Sequence, residues 1–471
     1  MTSIARRTFL KKTSQAGMTS LLAGWIFPSI LSDKISYGTE LRKKTIKPVC
    51  QITREIHAAY PKPRMAPITN MSYIGRGIKR EETRSFMQSS DWSESVQRRI
   101  SPDNGRTWSD WTSVPKETQS LGQYTQSGGA SQRGSGPYDP VSGRIIKPVF
   151  QRIFKGVPQV ALQQIWKGNR YFWDHGFYQL SADNGKTWGE AFLLKYEDGA
   201  DFNPSDWGNN EFLWRNEMYI GNTVVLKNDT VIMCATVPVP YNDAEDMKYP
   251  SIFPNNYREG CVAGAICFVG RWNKIKMNYD WKNSNSVFLP RQVSSRGLVE
   301  IDLSELKNGN LLMIMRGSNA GLDITKSPGR KWFSVSRDGG LTWSDVRDMR
   351  FDNGEQFYSP ATIHKTIRSS QTGRLYWVGN INNVPPDGNS PRYPLQIVEV
   401  DEKGPSFRKD TVIVIDDRDP GRDSEFLQLS NFALLEDRET KNMEIYLTRL
   451  GENGGGPDIW TANSYKYMLY F

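Results

Sequence analysis

Histidine and cysteine are scarce in this chain, with three of the first and four of the second in 471 residues. With only His57, His175 and His364 to draw on, no Cys/His group has zinc-ligand spacing, and no structural zinc is expected. Cys50, Cys234, Cys261 and Cys267 are too few for a disulfide framework at this length, although an oxidising compartment would permit a bridge among them. Long apolar runs are missing outside the extreme N-terminus, which excludes a polytopic membrane protein. No dense Lys/Arg stripe occurs either, so a net charge of +9 does not point to nucleic acid.

What the chain has in quantity is turn formers and large aromatics: 40 Gly, 26 Pro and 15 Trp, with 38% of residues hydrophobic. That combination buries a large core between many tight turns, which excludes disorder and a helical coiled coil and favours an all-β protein. The N-terminus reads Ala5-Arg6-Arg7-Thr8-Phe9-Leu10-Lys11-Lys12, followed by a weakly apolar stretch from Ala16 to Leu31. This is the pattern of a twin-arginine export signal over residues 1–33, which leaves 34–471 as a single exported domain, periplasmic or secreted. Its removal lowers the net charge to about +6 and leaves nothing to hold the protein in a membrane.

A repeat decides the fold. Ser101-Pro-Asp103-Asn-Gly105-Arg-Thr107-Trp108, Ser181-Ala-Asp183-Asn-Gly185-Lys-Thr187-Trp188 and Ser336-Arg-Asp338-Gly-Gly340-Leu-Thr342-Trp343 share Ser, Asp, Gly, Thr and Trp at fixed positions. A short carboxylate accepts backbone N–H groups inside a turn, Gly takes a positive φ, and Trp anchors the turn to a core. The boxes start 80 and then 155 residues apart, so the period is about 78 and an intervening unit lacks its box. Hairpins recur between them, as at Thr223–Cys234, Leu298–Arg316 and Thr362–Val378. The expectation is a β-propeller of four-stranded antiparallel blades, six in number with seven as the alternative. The N-terminal segment containing His57 is available to close the ring.

The Ser-x-Asp-x-Gly-x-Thr-Trp boxes resemble the Asp boxes of the sialidase-like propeller superfamily, and the repeat plan is similar across nearly the whole mature chain. The resemblance implies boxes on the turn between third and fourth strands, at the face opposite the active site, and an acidic glycan as partner. It does not fix the chemistry, since the superfamily includes sialidases, glycan-binding propellers and polysaccharide lyases.

Four places then fall at the functional face. The stretch from Arg170 to Tyr178 contains Asp174 and His175 among aromatics; Asp could orient the imidazole, although a lone histidine is as often structural. The connection from Pro240 to Gly260 contains Tyr241, Tyr257 and Arg258, and connections this long in compact repeats are often functional. Arg296 and Arg316 fall at one end of a hairpin with Glu300 just inside, an arrangement suited to bidentate binding of a carboxylate or sulfate. Tyr358, in Gln356–Pro360, points near the channel mouth unless it packs between blades.

Glu300 and Arg316 resemble the sialidase positions that carry a catalytic glutamate and one carboxylate-binding arginine. The first arginine of that pattern has only a loose echo, Arg64-Met65-Ala66-Pro67. A second, weaker resemblance is to the propeller ulvan lyases, which eliminate across C4 and C5 of a uronate using histidine, tyrosine and arginine. It implies His175, Tyr241 and Arg258 as catalytic residues; beside them, Arg170, Tyr257, Arg296, Glu300, Arg316 and Tyr358 are expected to bind substrate. Arg152 and Lys155 stand where those enzymes have a second histidine, so loss of water from a terminal uronate is an open variant. No cofactor is required, a structural calcium stays open, and a monomer is expected. Hydrolysis of a terminal acidic sugar and binding without chemistry are the alternatives.

Overall fold

The structure is a computed structural model that describes residues 50–90, 92–115, 118–128, 136–165, 171–249 and 260–471. The expected export signal lies outside the described residues, as do Arg170, Tyr257 and Arg258.

Six antiparallel sheets follow one another along the chain. Strand β1 (Gln51–Ala58) is set aside for the last of them. Blade 1 comprises β2 (Ala66–Tyr73), β3 (Arg80–Ser89), β4 (Trp92–Ser101) and β5 (Thr112–Val114). Blade 2 adds a hairpin, β6 (Thr118–Leu121) and β7 (Tyr124–Gly128), and a short β8 (Tyr138–Asp139) to β9 (Arg144–Lys155), β10 (Phe172–Ser181) and β11 (Phe192–Leu193). Helix α1 (Pro158–Ile165) begins the connection from β9 to β10, and α2 (Asn210–Trp214) lies in the crossing to blade 3. Blade 3 contains β12 (Tyr219–Val225), β13 (Val231–Pro240), β14 (Cys261–Asn273) and β15 (Asn278–Asn283). Blade 4 follows with β16 (Val299–Glu305), β17 (Leu311–Arg316), β18 (Lys331–Ser336) and β19 (Arg347–Asp348). Blade 5 has β20 (Lys365–Arg368), β21 (Leu375–Asn380), β22 (Leu395–Asp401), β23 (Ser406–Phe407) and β24 (Ile413–Asp416). Blade 6, β25 (Ala433–Glu436), β26 (Met443–Thr448) and β27 (Ser464–Tyr470), takes β1 as its outer strand. The register runs from Gln51 opposite Tyr470 to Ala58 opposite Ser464, so the strand containing His57 closes the ring at six blades.

The apolar alternation of each strand is spent between blades. Met233 and Val262 of blade 3 pack with Tyr178 and Leu180 of blade 2, while Cys234 and Ile232 pack with Ile301 and Met313 of blade 4. Leu312 and Phe333 of blade 4 meet Trp377 and Val398 of blade 5 in the same manner. Burying both faces of a sheet removes more apolar surface from water than a sheet with one wet face, at roughly 25 cal/mol per Å². All four cysteines are buried and none is in a disulfide, although Cys234 and Cys267 stand opposite each other in register. Burial pushes the Cys50 thiol up to about 11 and that of Cys267 well above its ordinary value, which makes both poor nucleophiles. No helix among the described residues is long and apolar enough to cross a membrane.

All three boxes join the third strand of a blade to the fourth. In the first, Asp103 accepts hydrogen bonds from the Thr107 amide (2.8 Å) and hydroxyl (2.7 Å), and Ser101 Oγ accepts from the Gly105 amide (2.7 Å). The same bonds recur around Asp183 and Asp338. The three box glycines take φ of +88°, +74° and +95°, a region costly for any residue with a Cβ. Bonds from the Thr107 amide and hydroxyl hold the Asp103 carboxyl down to about 2. Blade 3, between the second and third boxes, has none and joins its third and fourth strands by Lys274–Met277; blades 5 and 6 lack a box too.

Candidate functional site

The face opposite the boxes is built from second-to-third-strand connections and from crossings between blades. At the blade 4 position on that face, β16 carries a bulge. Val299 pairs with Arg316 but Asp302 pairs with Ile314, so one extra residue is taken up between them. Glu300 sits in that bulge with φ of +50°, a backbone state that costs an L-residue about 1 kcal/mol and re-aims its side chain out of the strand alternation.

Glu300 Oε2 lies 2.5 Å from Nη1 of Arg316, the last residue of β17. Arg316 Nη2 donates to Asn389 Oδ1 at 3.2 Å, and Arg296 Nη1 donates to the same oxygen at 3.3 Å. One amide carbonyl in the β21–β22 connection therefore fixes two guanidinium groups side by side. Lys331, opposite Arg316 in the β17–β18 register, is fully buried and donates to the carbonyls of Pro360 (3.2 Å) and Thr362 (2.5 Å).

This corner has more cationic than anionic groups, and its titrations reflect that. Burial works to raise the Glu300 carboxyl, but Arg316, Lys331 and Arg296 outweigh it and hold the group below the ordinary carboxylate value. Burial, reinforced by Arg316, pushes the Lys331 amine well below its usual range, and Glu300 offsets this only in part. His364, behind the same strands, is pushed well down by burial and by Lys331, so it is a neutral ring packed near Trp377. With 22% of its side chain exposed, Glu300 is an ionised carboxylate within reach of solvent.

The residues named from the sequence separate into two groups. Arg296, Glu300 and Arg316 are brought together. His175 is not with them: its ring is 0% exposed, stacks on Phe212 at 4.3 Å between centroids, and places Nε2 2.8 Å from the Phe212 carbonyl. Its place near the start of β10 is at that face, but the crossing through α2 covers the ring. Asp174 does not orient that imidazole through any bond seen here; it forms a bidentate pair with Arg152, both contacts at 2.7 Å. Lys155 lies near the Tyr171 ring, at 5.8 Å.

Tyr241 is half-buried at the start of the β13–β14 connection, its ring 5.0 Å from Phe288. Burial, with Asp246 and Asp243 nearby, raises its phenol above the ordinary value, so it is held protonated. The same connection is tied to the crossing that leads to Arg296, since Asp246 accepts from the Arg291 amide (2.8 Å) and the Gln292 amide (3.0 Å). Tyr358 is half-buried with Arg330 over its ring at 5.8 Å, and its carbonyl accepts from the Asn382 amide at 2.8 Å. Arg64 is paired with Asp458 at 2.7 Å on the surface.

Asn389, Lys331 and Arg392 are the parts of the corner that sequence reasoning did not name. Counting the register of β18 from the third box back to Arg316 would have found Lys331. Asn389 and Arg392 belong to an irregular connection and left no periodic signal. Among the described residues no three His, Cys, Asp or Glu side chains converge as a metal site.

No family model matches the chain, and no curated protein matches it in sequence. Its fold is similar to that of a protein of unknown function from Dyadobacter fermentans, 13% identical, with a TM-score of 0.53 over 89% of this chain and 99% of that one. It is also similar to the NanB sialidase of Streptococcus pneumoniae, 13% identical, with a TM-score of 0.50 over 88% of this chain and 69% of the sialidase. The box geometry, the six four-stranded blades and these likenesses agree on the architecture: the chain is a six-bladed, sialidase-like β-propeller.

Proposed function

We propose that the protein is an exported carbohydrate-active enzyme that binds the carboxylate of an acidic sugar at Arg296 and Arg316 and eliminates across C4 and C5 of a uronate. The observation that carries this reading is the pair of guanidinium groups fixed on one Asn389 oxygen beside an ionised Glu300. Neutralising the sugar carboxylate acidifies the C5 proton. Glu300 is the ionised group available to take that proton, and Tyr241 is the protonated group available to give one. The C5–H electron pair becomes the C4=C5 double bond as the C4–O bond breaks, and the departing oxygen leaves as an alcohol or, in the dehydratase variant, as water. Arg258 of the ulvan-lyase likeness stays a candidate for the same carboxylate.

Hydrolysis of the sialidase kind needs a tyrosine activated by a glutamate. Among the described residues, the groups that bear most on the ionisation of Glu300 are Arg316, Lys331 and Arg296. Hydrolysis therefore stands as the alternative that the test below must separate from elimination. The test is ultraviolet absorbance with mass spectrometry while the mature protein is incubated with uronate polysaccharides and their oligosaccharides. A rising signal from an unsaturated uronate supports elimination, and loss of water without chain cleavage selects the dehydratase. Release of a saturated terminal acidic sugar overturns elimination in favour of hydrolysis.

A further inference from the structure

The Asn389–Arg392 segment that closes the charged corner on one side is the wall of a separate cavity on the other. This cavity, of about 320 Å³, opens on the same face between the β21–β22 connection, the crossing from blade 5 to blade 6 and the β26–β27 connection. Pro391, Arg392, Phe426, Gln428 and Ile459 line it, together with Glu425. The size is at the small end of ordinary ligand pockets.

Phe426 is the notable member, a large aromatic residue 54% exposed. It is not loose. Its amide donates to Ser424 Oγ at 3.1 Å, and its ring lies against Gly455, where an added Cβ would meet the ring at 2.8 Å. The glycine thus makes room for a ring supported from behind, with its exposed side toward the cavity. Around its rim the polar groups are also held. The Gln428 backbone N–H donates to the Leu450 carbonyl at 2.7 Å and its side-chain Oε1 accepts from Arg392 Nη1 at 3.0 Å, while Arg392 Nε donates to the Asn389 carbonyl at 3.2 Å.

A fixed aromatic face bordered by an arginine, an amide and a carboxylate matches a pyranose, which has an apolar C–H face and a rim of hydroxyls. We propose that this cavity is a second sugar subsite that takes a neutral pyranose linked to the acidic residue held at Arg296 and Arg316. The proposal rests on the acidic-sugar reading above. Arg392 is the shared element, since the same segment presents Asn389 to the two arginines and Pro391 to the cavity.

The test is calorimetric titration with methyl glucuronide, with a disaccharide of glucuronate and a neutral hexose, and with cellobiose. Wild-type protein should bind the acidic disaccharide about tenfold tighter than the monosaccharide. Phe426→Ala should reduce that ratio to about one while leaving monosaccharide binding unchanged. Gly455→Ala, at a φ of −106° open to any residue, should do the same by displacing the ring. Arg316→Met should lose both acidic ligands, which separates the corner from the cavity. An unchanged ratio in Phe426→Ala, or no ratio in wild type, overturns the subsite while the acidic-sugar reading stands. If no acidic ligand binds at all, that reading fails and cellobiose decides: binding lost in Phe426→Ala supports the cavity, and no binding overturns it.

Discussion

Blades 2 and 4 each place a catalytic-looking group of residues near the same face, and the two groups are built in opposite ways. In blade 2 the partners balance. Asp174 has both oxygens on Arg152, and the His175 ring is stacked and hydrogen-bonded in an interior where nothing from solvent reaches it. In blade 4 they do not balance: Arg296, Arg316 and Lys331 surround Glu300, two guanidinium groups share a neutral oxygen, and the glutamate is set in a bulge at a positive φ. Crowding of reactive residue types is therefore a poor guide to a site. A surplus of one charge, held rigid, is a better one, because folding alone gives no reason to assemble it.

The largest effect should come from breaking the blade 4 corner. Arg316→Met removes the chief partner of Glu300 and is expected to lower turnover on an acidic glycan at least ~100-fold. It should also cost roughly 3–5 kcal/mol of stability in urea titration, and Glu300→Gln in the same chain should restore most of that. Next, Tyr241→Phe should lower turnover by about 100-fold with glycan binding kept, if the phenol gives the proton. A binding module would have no turnover to lose.

The reverse holds for blade 2. His175→Phe keeps a ring against Phe212 but strands the carbonyl, so about 1–3 kcal/mol should be lost while turnover per folded molecule stays within about twofold. A folded His175→Phe protein without activity would erase the contrast between the blades. The smallest effect is a pH dependence. The Glu300 carboxyl is lowered in the folded state, so its contribution to stability is complete above the ordinary value of 4.5 and is lost as pH falls through the lower folded value. Denaturation of Glu300→Gln beside wild type should show a difference that shrinks in acid and is level near neutrality.

Where the sequence was legible, local chemistry repeated itself. Ser, Asp, Gly, Thr and Trp at fixed spacing specify a turn by their own hydrogen bonds, so three boxes placed three blades and their period placed the rest. Glu300 and Arg316 were legible for a related reason: a hairpin's register puts its first and last residues at one end. His175 was misleading because its hydrogen-bond partner, the Phe212 carbonyl, comes from a different crossing, and nothing in residues 170–178 announces it. Asn389 was hidden likewise, being an amide in an irregular connection whose importance comes only from two arginines of another blade. The extra hairpin β6–β7 in blade 2 carried no box and no strong alternation, and was not foreseen.

The closing strand has a consequence in time. Gln51 pairs with Tyr470 and Ile56 with Tyr465, so the first of the described strands has no ladder partner until the last of them has been delivered. Five blades can form in order as the chain emerges, each from contacts close in sequence, but the sixth joins the first and last of the described strands. Until β27 is delivered, β26 has no outer neighbour and β1 lacks its ladder partner, each an open edge of the kind that invites pairing with other chains. The ring closes only when β27 is available to pair with β1.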